Sequence, residues 1–192
     1  MTNVTTGVVR FSYLTIDQPR LGPNAKEGDK PKYSVMLLIP KSDKETRAAL
    51  KAAEKEAYEE GVTSKWNGKR PQVESVIHDG DKPKKSGDSY GPECEGHWVM
   101  NVSAVRRPFL VDRDVRPMDP KDIKSGDYGR ANITSFPYTG LSNGVTFGLE
   151  GLQFVRSGDP LGGGISPEKA FDAYADDDDE FDEDDDDEGL LS

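Results

Sequence analysis

Residues 32–61 read KYSVMLLIPKSDKETRAALKAAEKEAYEEG. Two periods meet in this stretch. Up to Ile39 the apolar residues alternate, so Tyr33, Val35, Leu37 and Ile39 share one face of a strand. Met36 and Leu38 lie on the other face, so both faces are covered in part. Pro40 ends the strand. Ser42 and Glu45 then have the spacing of a capping box, in which each side chain satisfies an orphan amide of the first turn. Leu50 and the alanines at 48, 49, 52, 53 and 57 are mostly good helix formers. The spacing predicts a helix over 42–60, with Gly61 as its stop. Its apolar face, Leu50, Ala53 and Ala57, is thin, which suits a helix lying on a sheet.

Outward from this stretch the chain reads as strands and loops. Val8–Ile16 mixes residues that fit a pleated surface. A loop rich in Gly, Pro and Lys runs from Leu21 to Pro31. Residues 62–96 show little periodicity and read as a long loop, a length usually tied to function or disorder. Strands return at His97–Val105, Phe109–Asp112, Tyr128–Tyr138 and Val145–Val155, the last entered through the turn residues Ser142, Asn143 and Gly144. About six strands and one helix make a small, mostly antiparallel barrel or sandwich.

The 192 residues are 33% hydrophobic, low for a wholly globular chain, and the deficit is local. Residues 168–192 hold 14 acids and one base, Lys169, while residues 1–167 hold 22 acids and 24 bases. The net charge of −11 is therefore a body near +2 carrying a tail of −13. This excludes an acidic globular protein. The run 176–188 contains 12 acids and Phe181. Such a run repels itself and buries nothing, so it is expected to be disordered. The organisation read here is a domain over 1–157, a flexible linker over 158–167 and an acidic tail over 168–192. No run of about 18 apolar residues exists, so no membrane-spanning helix is expected. The stretch MTNVTTGVVRF has no secretory pattern. The single cysteine, Cys94, forms no internal disulfide, which fits a reducing cytosol.

The strand 128–138 carries the strongest chemical signal. One face holds Tyr128, Arg130, Asn132, Thr134, Phe136 and Tyr138; the other holds Gly129, Ala131, Ile133, Ser135 and Pro137. An aromatic and basic face is the composition of a single-strand platform, on which bases stack and cations follow phosphates. The competing reading makes these aromatics barrel core. Bases interleaved with aromatics recur elsewhere. Lys82, Lys84 and Lys85 share a loop with Tyr90; Lys65, Lys69 and Arg70 flank Trp66; Arg106 and Arg107 close the strand that begins near Trp98; Arg113 and Arg116 follow Phe109. Trp98 shares an apolar face with Met100 and Val102, which also suits a core.

Other chemistries find little support. Cys94 and His97 have C-x-x-H spacing, and His78 is the one other such ligand, whereas structural zinc takes four. Asp79-Gly80-Asp81 resembles the opening of a calcium loop, but Lys and Pro stand where further ligands are needed, so a turn is expected. Gly162-Gly163-Gly164 lacks the lysine of a phosphate loop. No nucleophile elbow or Ser/His/Asp set is present, and no enzyme, metal or cofactor is expected.

With these segments in view, the chain resembles the tailed-phage single-stranded DNA-binding proteins long catalogued as a domain of unknown function. The resemblance spans about residues 5–157. It rests on Tyr33–Lys41, on Asp79-Gly80-Asp81, on Arg107-Pro108 with Asp112, and on Ser125-Gly126-Asp127-Tyr128-Gly129-Arg130. Asn143-Gly144-Val145 and Gly148-Leu149-Glu150-Gly151-Leu152-Gln153 complete it. It implies an oligonucleotide/oligosaccharide-binding (OB) fold, an antiparallel β-barrel with one helix, coating single-stranded DNA in replication or recombination in the host cytoplasm. It also implies a tail that binds replication proteins such as polymerase, helicase or nuclease and competes with DNA.

The expected DNA-binding set is Tyr128, Arg130, Phe136, Tyr138, Lys82, Lys84, Lys85, Tyr90, Trp98, Arg106, Arg107 and Trp66. In the tail, Asp176, Asp177, Asp178, Asp179, Phe181, Asp184, Asp185, Asp186, Asp187, Leu190 and Leu191 are expected to meet protein partners. No membrane partner is expected, and self-association on DNA is compatible with the reading. The rival reading is a protein–protein adaptor or nucleic-acid mimic in which the tail is the active part. A metal-dependent nuclease would need clustered carboxylates, which the body lacks beyond Asp79 and Asp81.

Overall fold

The computed structural model describes residues 1–161; the tail and the linker beyond Leu161 lie outside them. Eight strands form one sheet: β1 (Thr2–Thr5), β2 (Val9–Arg20), β3 (Lys32–Pro40), β4 (His78–Asp79), β5 (His97–Ala104), β6 (Phe109–Val111), β7 (Tyr128–Tyr138) and β8 (Gly144–Arg156). The pairings run in a circuit, β2 to β3, β3 to β5, β5 to β8, β8 to β7 and β7 back to β2. The arrangement is that of an OB-type sheet, curled on itself with side chains filling the inside. The seam between β5 and β8 is parallel and held by one pair, Ser103 with Gly148. With β6 against β8 it is one of two parallel pairings in a sheet that is otherwise antiparallel, in line with the mostly antiparallel expectation, and it is the weak closure of the circuit.

The alternation along β3 decides the inside. Tyr33, Val35, Leu37 and Ile39 are buried in the main core with Phe11, Met100, Ile133 and Leu152. Leu38, on the opposite face, is buried separately against Cys94 and Val99. Both faces of β3 are thus covered, as its apolar run requires.

Helix α1 (Lys44–Ser64) lies between β3 and β4, and it buries Leu50, Ala53 and Ala57. Its N-cap is Asp43, one residue beyond the expected Ser42: the Asp43 carboxylate accepts from the Thr46 amide at 3.0 Å. The helix also runs past Gly61. The Trp66 ring lies against that glycine, and a Cβ there would stand 2.5 Å from Trp66 Cη2. Gly61 is therefore a seat for an indole, not a stop. Strands β1 and β4 were not expected, because two or four residues give too little periodicity to read.

Candidate nucleic-acid interface

The outward face of β7 is the aromatic and basic one, which alternation alone left open between a stacking platform and barrel core. Gly129, Ala131, Ile133, Ser135 and Pro137 are buried, whereas Arg130 and Tyr138 are exposed and Tyr128 and Phe136 half-buried. The pleat makes this division, and the small residues fit the core. The face is not uniform, however. At its first end Tyr128 is already engaged, with the Arg156 guanidinium 4.2 Å and the Arg10 guanidinium 5.3 Å from its ring centre. The Gly158 backbone also packs against that ring. Tyr128 thus anchors the end of the strand instead of offering a free stacking face. At the other end the Tyr138 ring lies over Gly144, its cross-strand partner, where a missing Cβ makes room.

Phe136 borders the seam between β5 and β8. Two adjoining hollows of about 430 and 470 Å³ share Lys32 and Ser103 in their walls. The first is bounded by Arg20, Lys30 and Ser34, the second by Arg106, Phe136, Gly148 and Glu150. Lys32, Arg20, Lys30 and Arg106 are exposed, and among the described residues none has a carboxylate within ion-pair distance. The groove opens at the Ser34–Ser103 end of the outer face of β3 and β5, a face that continues through Met36 paired with Asn101 to Leu38 paired with Val99.

At the Leu38–Val99 end this face is covered by Cys94, Tyr90 and Leu161. Burial pushes the Cys94 thiol and the Tyr90 hydroxyl up from their ordinary values, because desolvation disfavours their anions. The first linker residues lie here too, held rather than free. Arg10 Nη2 donates to the Asp159 carbonyl at 2.8 Å, and the Leu161 amide donates to the Ser125 carbonyl at 3.1 Å.

Other expected residues divide. Lys84 sits over the Tyr90 ring at 5.2 Å and flanks the outer face of β3 and β5, and Lys82 is exposed beside it. Lys85 is paired with Glu74, whose carboxyl it holds below the ordinary range. Arg107 stacks over Tyr33 at 5.5 Å and donates to the Asp17 carbonyl at 3.1 Å, so it braces the end of the sheet.

Trp66 does not belong to any DNA-binding surface. It is 3% exposed, lies on Gly61, and its Nε1 donates to the Tyr138 carbonyl at 3.2 Å. Trp98 faces the main core, with Arg47 at 4.6 Å and Lys41 at 5.0 Å from its ring centre. Both tryptophans are removed from the stacking set for the same reason: a large apolar ring in a small domain is used first as core. Residues that sequence reasoning missed are Arg20, Lys30 and Lys32. The lysine-bearing loop 21–31 was the available signal.

Asp79 and Asp81 form a turn around a cation of the protein's own. Lys41 Nζ donates to each carboxylate at 2.6 Å. The ammonium holds both carboxyls below their ordinary range, and they in turn raise the lysine.

The family described as Enterobacter phage Enc34, ssDNA-binding protein, matches residues 2–182. Putative protein p50 of Acyrthosiphon pisum secondary endosymbiont phage 1 is 30% identical over 156 residues, 73% of this chain and 78% of that one. The fold is similar to that of the single-stranded DNA-binding protein from bacteriophage Enc34 in complex with ssDNA. Their TM-score is 0.68 at 23% identity, over 83% of this chain and 89% of that one. It is also similar to gp2.5, a single-stranded DNA binding protein encoded by bacteriophage T7. That TM-score is 0.58 at 16% identity, over 85% and 99% of the two chains. At these identities the two structures bear on the fold, and the family match, spanning nearly the whole sequence, bears on kinship. The chain belongs to the phage single-stranded DNA-binding family of the Enterobacter phage Enc34 protein, whose named work is binding rather than catalysis.

Proposed function

We propose that this chain coats single-stranded DNA without sequence preference during phage replication or recombination, in the cytoplasm of the infected host. The observation that carries the reading is the open basic groove at the β5–β8 seam, with Lys32 and Arg106 in its walls and Phe136 beside them. Phosphates would lie along Arg20, Lys30, Lys32 and Arg106 and release their counterions. Bases would stack on Phe136, and Tyr90 with Lys84 would flank the far end of the same face. Stacking and charge tolerate every base, which accounts for the absence of sequence preference.

The tail would recruit replication proteins and compete with DNA for the groove. Two facts support this. Its charge is that of a polyanion, and the chain at Leu161 already lies on the outer face of β3.

Fluorescence anisotropy with labelled oligo-dT tests the reading, comparing the full chain with residues 1–167 across a salt series. Four phosphate contacts predict a log–log slope of about −3, and Lys32→Ala with Arg106→Ala should reduce it by about 1.4. Binding should tighten without the tail at low salt, and a duplex should compete poorly. If neither protein binds, the adaptor reading replaces this one and the tail becomes the ligand-binding part.

A further inference from the structure

A separate, smaller hollow of about 180 Å³ lies on the outer side of β8, between β6 and β7. It is below the usual size of a site for a whole small-molecule ligand, and it suits one group inserted from a longer one. We infer that it seats a single unpaired base of a bound DNA strand, apart from the groove at the β5–β8 seam. The inference rests on the proposed DNA-binding reading.

Four features of the hollow point to a base. Phe109 is 54% exposed, and its ring lies on the Gly151 backbone: a Cβ there would stand 2.1–2.3 Å from three ring carbons. The glycine thus lays an aromatic flat on the sheet and leaves its other side open. Arg130 lines the hollow with its guanidinium pinned, because Nε donates to the Thr6 carbonyl at 3.0 Å. Its terminal nitrogens have no partner among the described residues and remain available to a phosphate or a base edge. Gln153 donates to the Arg113 carbonyl at 3.2 Å, which fixes its amide. Asn132, also in the lining, is held by a reciprocal amide pair with Asn3. Both Asn132 amide hydrogens are given to Asn3 and Thr5, so the ring, the guanidinium and the Gln153 amide oxygen are the chemistry left to hold a heteroaromatic ring with a polar edge.

The fourth feature is strain. The turn that follows β6 is closed by the Asp112 amide on the Arg116 carbonyl at 2.9 Å, and within it Val115 has φ 62°. That conformation favours glycine and is an outlier for a β-branched residue. Val115 is nonetheless 69% exposed and lines the same hollow as Phe109. Local stability is sacrificed to hold an apolar side chain in water at the lip of a site, a pattern found where backbone strain serves binding. The turn itself is balanced in charge, with Arg113 and Arg116 against Asp112 and Asp114, so the contact with a polyanion falls to Arg130.

The test uses the full chain and labelled oligo-dT of graded length, with Phe109→Ala, Val115→Gly and, as the groove control, Phe136→Ala. Phe136→Ala should weaken binding at every length. Phe109→Ala should leave the shortest bound oligonucleotide unaffected and weaken longer ones by about fivefold to a hundredfold, the range for losing one stacked base. Val115→Gly should raise the melting temperature, since the strain is gone, and yet weaken the longer oligonucleotides. Identical affinities for wild type and Phe109→Ala at every length would overturn the inference and leave the groove intact. Absence of binding by the wild type at any length would instead overturn the DNA-binding reading itself.

Discussion

Gly61→Ala separates what the helix prefers from what the fold requires. In an exposed helix interior, replacing glycine by alanine stabilises by about 1 kcal/mol. Here the new Cβ would stand 2.5 Å from Trp66 Cη2 and 2.7 Å from Cζ2 and Cζ3. A normal carbon contact is about 3.5–4.0 Å, so the indole must retreat by about 1 Å. The ring is 3% exposed among Ala57, Val62 and Val145, and its Nε1–Tyr138 bond is already 3.2 Å long. Overpacking of this kind costs about 1–3 kcal/mol, and the strained hydrogen bond adds about 1 kcal/mol. Set against the propensity gain, Gly61→Ala should destabilise by about 1–3 kcal/mol. In a Trp66→Ala background the clash is absent, and the same substitution should stabilise by about 1 kcal/mol. The sign therefore inverts between the two backgrounds. Urea unfolding followed by far-ultraviolet circular dichroism, on the four proteins of the cycle, reads both signs. A higher midpoint for Gly61→Ala alone would refute the reasoning, because it would mean that the ring does not rest on that glycine.

The Lys41 cluster should leave a signature in pH. Asp79 and Asp81 titrate below their ordinary 3.8 in the fold, so their contribution is full at neutral pH and is lost as pH falls through the lowered values; Lys41 titrates above its ordinary 10.5, so its part is full below 10.5 and is lost at higher pH. Lys41→Met should flatten both limbs of a plot of melting temperature against pH, and parallel curves would count against the cluster. Cys94 is 2% exposed with its thiol raised by burial, so a maleimide should label it slowly in the native protein and rapidly in urea. Equal rates would place it at the surface. Tyr128→Leu should cost about 0.5–2 kcal/mol of stability through the lost arginine contacts and leave oligo-dT affinity within about twofold. A large affinity loss at unchanged stability would return Tyr128 to the stacking set.

Much of the fold was legible because its signals are local. The alternation of Tyr33, Val35, Leu37 and Ile39 fixed β3 and grouped the residues of one face, and the same period sorted residues 128–138 into two faces, while which of these faces meets water was decided by the structure. The strand boundaries of β7 matched to the residue, and those of β5, β6 and β8 to within one. What stayed hidden depends on partners far along the chain. Gly61 reads as a helix stop until Trp66 is seen lying on it. Trp66 and Trp98 read as stacking residues until the core claims them, and the core is assembled from strands more than a hundred residues apart in sequence.

The same division holds for the candidate site. By itself the sequence determined a β-rich body near charge balance with an acidic tail, a basic and aromatic strand, and no constellation for catalysis. It did so through periodicity and composition, which need no neighbour to interpret. Only the tertiary structure decided which cations are free to meet a phosphate. Lys85, Arg107 and Lys41 are spent on Glu74, on Tyr33 with Asp17, and on Asp79 with Asp81, whereas Lys32 and Arg106 stand open on one groove. A charge is available for a ligand only when the fold has not already paired it, and pairing is a property of distance in space rather than of order along the chain.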